Sequence, residues 1–134
     1  TPTCYASELE ENIQVGQQID ATAKRLGKRV IVVVSNALTH LVVRGPASWP
    51  LPEHQAMDQK FIEMVKAGDV DSAIAYLPDY ARDAKCEMGG RGLGVCLGAA
   101  KALEEDVSDL AGAQYGPYAQ SSGSGNANLA LVAA

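Results

Sequence analysis

From Leu9 onward apolar and small residues recur at three- and four-residue steps, through Ile13, Gly16, Ile19, Ala23 and Leu26. Glu11, Gln14, Gln17, Gln18 and Lys24 fill the opposite positions, so the spacing predicts an amphipathic helix. Ser7-Glu8-Leu9-Glu10 fits a capping box at its start. Gly27 ends it, with Lys24, Arg25 and Lys28 near the negative end of the helix dipole. The pattern then changes. Arg29-Val30-Ile31-Val32-Val33-Val34-Ser35 is a β-branched run without polar alternation, which predicts a strand covered on both faces in a parallel or mixed sheet.

Downstream, Gly45, Pro46, Pro50 and Pro52 predict an irregular excursion over Arg44 to Pro52 that carries the single Trp, Trp49. Glu53 to Ala67 reads as a second helix with Met57, Phe61, Met64 and Val65 as its apolar stripe, stopped by Gly68. Asp69 or Asp71 caps a short helix through Leu77, and Pro78 opens another carrying Tyr80, Ala81, Ala84 and Met88. Five glycines between Gly89 and Gly98 disfavour an isolated helix by about 1 kcal/mol each, yet small residues also let a buried helix approach a neighbour closely. The reading is a loop entering a helix from about Leu93 to Leu103. Glu104 to Gly112 reads as a solvated turn, and a turn-rich approach leads to a last strand over Asn126 to Val132. The fold class expected is α/β, a mixed central sheet covered by helices, in one domain or part of one, with no repeat and no internal boundary.

Composition narrows the function classes. The chain has 134 residues, 47% of them hydrophobic, with 11 Lys plus Arg against 16 Asp plus Glu and a net charge of −5. An acidic balance without a basic cluster argues against a nucleic-acid partner. The longest aliphatic run, Val30 to Val34, is too short to span a bilayer, so no membrane partner is expected. Cys4, Cys86 and Cys96 are too few and too scattered for a disulfide framework or a zinc site, and with no basic-then-apolar leader the expected setting is cytoplasmic.

Candidate chemistry centres on His40. It follows the predicted buried strand and the turn Asn36-Ala37-Leu38-Thr39, at the carboxyl-end rim where open α/β sheets bind ligands. An imidazole there suits proton transfer near neutral pH, where a hydrogen-bonded structural role is the competing assignment. His54 sits in a polar helix start and reads as solvated, and Cys86 and Cys96 read as space-filling. The glycine-rich stretch lacks the Lys-Ser/Thr of a phosphate loop, and Gly123-Ser124-Gly125 lacks the spacing of a nucleophile elbow. Thr1 raises a separate expectation, an N-terminal nucleophile exposed by self-cleavage, against simple trimming.

Several stretches in order resemble the class III extradiol ring-cleavage dioxygenases, of the protocatechuate 4,5-dioxygenase and 2-aminophenol 1,6-dioxygenase type. Val30 to His40 is similar to the family's apolar strand ending in Ser-Asn-x-Leu-Ser-His. Asp58 to Phe61 continuing to Ala67-Gly68-Asp69, then Tyr80 to Ala84 and Met88-Gly89, resemble its following helices. Tyr115-Gly116-Pro117 and Gly123-Ser124-Gly125-Asn126-Ala127 resemble its closing segment. The likeness covers nearly all of this chain but only the C-terminal half of a family member.

The resemblance implies ring cleavage of a catechol or 2-aminophenol by dioxygen, with His40 as the acid–base residue. It also implies that Asn36, Thr39 and Tyr115 face a small aromatic substrate. The family's cofactor is Fe(II), held by two histidines of the N-terminal half and a glutamate of the last strand. Here the glutamate position carries Ala130, and the matching half lies outside this sequence. This chain alone is therefore expected to bind no iron, with no metal ligands of its own, and to need a second polypeptide to complete its sheet and site. A non-catalytic structural subunit of such a complex is the alternative within the same family.

Overall fold

The computed structural model describes residues 6–41, 50–107, 109–121 and 123–134. Thr1, Cys4, Trp49 and most of the Pro-rich excursion fall outside these residues. Among the described residues four α-helices, α1 (Leu9–Arg25), α2 (Pro52–Lys66), α3 (Val70–Asp83) and α4 (Arg91–Glu104), precede a hairpin of β1 (Leu110–Ser121) and β2 (Ser124–Ala133). The architecture is mixed α/β with a two-stranded antiparallel sheet.

The first helix forms as its spacing predicts, but its cap is one residue later. Glu8 is the N-cap, and its amide donates to Glu11 Oε2 at 2.8 Å. Ser7 instead accepts from the Asn12 side chain at 2.7 Å. Gly27 takes a positive φ of 61° where the helix stops. The α4 helix starts at Arg91, two residues before the expected Leu93, and lies directly on α1. Its glycines are contact points. A Cβ on Gly98 would fall 1.9 Å from the Ile13 carbonyl oxygen, and one on Gly16 would fall 2.1 Å from that of Val95. Backbone-to-backbone packing thus offsets the poor helix propensity of the stretch.

Two expectations need correction among the helices. Pro78 does not open a separate helix; it lies exposed inside α3. Val70, Ala73, Leu77, Tyr80 and Ala81 stay on one buried stripe across it, and that burial outweighs the roughly 3 kcal/mol cost of an interior proline. In α2 the buried stripe is Asp58, Phe61, Ile62 and Val65, rotated from the predicted one so that a carboxylate faces inward. The main core joins these α2 and α3 residues to Leu38, Cys86, Leu97 and Ala100. Phe61 and Tyr80 stack there with centroids 5.1 Å apart.

The hairpin covers α2 and is longer than predicted. Leu110 to Gly112, assigned to a solvated turn, already pairs with Leu131 to Ala133. Gly112 lies so close to α2 that a Cβ would meet the Val65 carbonyl oxygen at 1.8 Å. Tyr115 to Tyr118, expected in a turn, belongs to β1 as an irregularity between the Tyr115–Asn128 and Ala119–Asn126 pairs. Gly116, with φ 82°, and Pro117 supply that irregularity.

The largest correction concerns residues 29–35. The predicted strand buried on both faces is absent: no strand is assigned, and none of these residues pairs its backbone with another backbone group among the described residues. Ile31 is 88% exposed and Val33 84%, while Val32 and Val34 are half-buried. That alternation is the period of an extended chain with one face on the protein and no neighbouring strand. The Val34 backbone N–H hydrogen-bonds to the Cys96 sulfur on α4. Among the described residues the sheet consists of the hairpin and a short segment beside it.

Candidate functional site

Residues 38–41 form that short segment, and main-chain hydrogen bonds hold it on both sides. Toward β2, Leu38 N–H donates to the Gly125 carbonyl at 2.9 Å, Gly125 N–H to that of Thr39 at 2.8 Å, and Leu41 N–H to that of Gly123 at 2.9 Å. Toward the connection after α3, His40 N–H donates to the Lys85 carbonyl at 2.9 Å and Glu87 N–H to that of Leu38 at 3.1 Å. Lys85 holds φ at 56° and Met88 at 51°, a left-handed backbone uncommon outside glycine, so packing around this connection overrides local preference. His40 is left half-buried at the rim.

Directly behind it lies a buried carboxylate. Asp58 on α2 has no exposed surface. Its Oδ1 accepts from Thr39 N–H at 3.1 Å, Thr39 Oγ1 at 2.7 Å and the Tyr80 hydroxyl at 2.7 Å. Its Oδ2 accepts from the Tyr118 hydroxyl at 2.7 Å. An acceptor-only group surrounded by four donors is fully satisfied, and bonds to such an oxygen are among the stronger in proteins. The arrangement joins α2, α3, β1 and the 38–41 segment at one group. Gly125 admits it sterically, since a Cβ there would lie 2.1 Å from Asp58 Oδ2 and 2.2 Å from the Tyr118 hydroxyl.

Electrostatics follow from that burial. Desolvation first, then the nearby Cys86 and Asp58, hold the Tyr80 hydroxyl far above the usual range. Tyr118 is raised by desolvation and by its bond to Asp58. Burial pushes the Cys86 thiol up to about 12, which keeps it protonated and unreactive.

The expected site residues fall in three places. Thr39 and His40 are adjacent, but Thr39 is fully buried with both of its donors on Asp58. Asn36 lies on the approach: its amide nitrogen donates to the Ala37 carbonyl, and its Oδ1 is buried over Gly92 of α4 without a hydrogen-bond partner among the described residues. Tyr115 is 65% exposed on the hairpin. It pairs with Asn128, four residues along β2 from the Ser124 that faces His40, about 13 Å at the usual strand rise. The fold therefore does not bring Tyr115 to the His40 rim by register.

Asp58, Tyr80 and Tyr118 were not recognised from sequence as a unit. One signal existed: an aspartate three residues before Phe61 and seven before Val65 lies in register with an apolar stripe, which predicts a buried carboxylate in need of donors. Nothing in the chain order identifies which donors those are.

Ala130 occupies the position implied for the carboxylate ligand and pairs across the hairpin with Ala113. Among the described residues no three His, Cys, Asp or Glu side chains come together as a metal-holding group. Among them, too, no helix is long and apolar enough to cross a membrane. No protein-family model and no curated protein matches the sequence.

Proposed function

We propose that this chain is one part of an extradiol-dioxygenase-like assembly that cleaves a catechol or 2-aminophenol ring with dioxygen. A second polypeptide completes its sheet and brings any ferrous site. The observation that carries the reading is the apolar segment from Val30 to Val34. It has strand composition and strand periodicity, yet its exposed side meets solvent and its backbone has no strand partner among the described residues. Val30 also shares an open trough with Val15, Ile19 and Leu26, so the uncovered apolar surface continues onto α1. Unpaired edges of this kind are suited to strand addition by another chain.

His40 supports the catalytic part of the reading by its position. It is half-buried, its N–H donates to the Lys85 carbonyl while its neighbours Thr39 and Leu41 bond to the hairpin, and it follows the uncovered segment in sequence. At that rim its imidazole would take a proton from a bound substrate hydroxyl and return it later in the cycle. No step is assigned to a metal held by this chain.

The test is isolation of the intact assembly, with identification of the second chain, metal analysis, and oxygen uptake on catechol and 2-aminophenol. The expected result is a hetero-complex whose His40→Ala variant loses about 100-fold or more in kcat. A chain that remains monomeric and folded when co-expressed with its neighbouring reading frames overturns the proposal. Ala130 favours a second reading, a structural subunit beside an iron-bearing paralogue. Full activity of the His40→Ala complex would select it. The N-terminal-nucleophile alternative falls on Thr1, outside the described residues; unchanged processing of a Thr1→Ala precursor would remove it.

A further inference from the structure

We infer that Asp58 is a positioning residue for His40, acting through Thr39. The inference rests on the proposed proton-transfer role of His40 for its catalytic consequence, but the clamp itself is independent of that role. Thr39 delivers both its amide and its hydroxyl to one carboxylate oxygen, so its backbone as well as its side chain is referenced to α2. The same oxygen is fixed by Tyr80 from α3, and the other by Tyr118 from β1. Three independently packed elements thus determine where the Thr39 Cα sits, and His40 is the next residue.

The main-chain bonds alone hold the segment less tightly. His40 N–H leans on the carbonyl of Lys85, a residue itself in a left-handed conformation, and the Gly123–Gly125 side is the end of a two-stranded hairpin. A carboxylate inside the core is the stiffest reference available, because the surrounding side chains are close-packed. A plain core role would need only hydrophobic contact at position 39. Threonine, by contrast, presents a hydroxyl aligned on Asp58 at 2.7 Å, and the residue is fully buried.

The experiment compares Thr39→Val, which keeps shape and removes the hydroxyl, with Thr39→Ser, which restores it. Hydrogen exchange is read by mass spectrometry on the full chain, with its partner where one co-purifies, for peptides covering 37–41 and 93–103. Loss of one bond to a buried carboxylate should speed exchange in 37–41 about tenfold in Thr39→Val, leave 93–103 unchanged, and leave Thr39→Ser like the parent. Equal acceleration of both peptides, no acceleration of 37–41, or a Thr39→Ser variant as fast as Thr39→Val each overturn the clamp. In the active assembly Asp58→Asn should lower kcat about tenfold with KM unchanged. An unaltered kcat overturns the positioning role, whereas absence of ring cleavage in the parent assembly defeats the functional reading and leaves the exchange result to stand on its own.

Discussion

Replacing Gly98 by alanine separates helix propensity from helix packing at one position. In an isolated helix the change stabilises by about 1 kcal/mol. In this fold the new methyl would lie 1.9 Å from the Ile13 carbonyl oxygen, 2.8 Å from its carbon and 3.0 Å from its Cα. Ordinary carbon–oxygen contact begins near 3.3 Å, so α1 would have to retreat by about 1.4 Å. Backbone cannot swing aside as a side-chain tip can. The nearby approach of Gly16 to Val95 and Ala99 would open with it, and a gap of that size forfeits much of the dispersion energy along the seam. The net expectation is a loss of about 2 kcal/mol, seen as a lower urea midpoint at unchanged m and a Tm lower by roughly 6–8 °C.

Gly94→Ala is the matched control on the same helix. Its methyl would meet Leu9 Cδ1 at 3.1 Å and Ile13 Cγ1 at 3.4 Å, both flexible side-chain atoms. That variant should be neutral or up to about 1 kcal/mol more stable. If Gly98→Ala proves as stable as Gly94→Ala, the packing explanation for the glycine-rich stretch is wrong.

Other consequences can be measured on the same protein. Phe61→Ala should cost about 3–5 kcal/mol in denaturant unfolding, because Phe61 is 2% exposed and stacked on Tyr80. Tyr80 and Tyr118 both have hydroxyls raised above the ordinary value of 10, so the folded state retains their protons after the unfolded chain has begun to lose them. Their contribution to stability is full below about pH 10 and declines as pH rises above it. Urea midpoints measured across that range, alongside tyrosinate absorbance, should fall less steeply in Tyr118→Phe; an identical slope would contradict the assignment. Ile31→Lys should change the stability of the chain by no more than about 0.5 kcal/mol, since the side chain is 88% exposed, yet should weaken co-purification of a partner.

Local patterning determined much of this protein. Helix α1, its stop at Gly27, the extent of α2 within a residue, and the Asp69 cap of α3, whose carboxylate accepts from Ser72 N–H at 3.0 Å, all follow from short-range periodicity and terminal chemistry. These depend on residues within a turn or two of each other, which the chain order states directly. Pro78 inside α3 and the early start of α4 did not follow, because in both places burial against distant residues outweighed a local penalty.

The candidate site divides in the same way. His40 stood out by its place after an apolar run; in the structure that run forms no strand, and His40 is half-buried with its N–H on the Lys85 carbonyl. What lies behind it did not, since Thr39, Asp58, Tyr80 and Tyr118 are separated by 19 residues or more along the chain and meet only through packing. The β-branched run Val30 to Val34 marks the boundary between the two kinds of knowledge. Its composition determined that it wants a strand on each side, whereas only the tertiary structure decided that this chain, among its described residues, supplies neither. A strand's propensity is local, but its hydrogen-bond partners are always somewhere else.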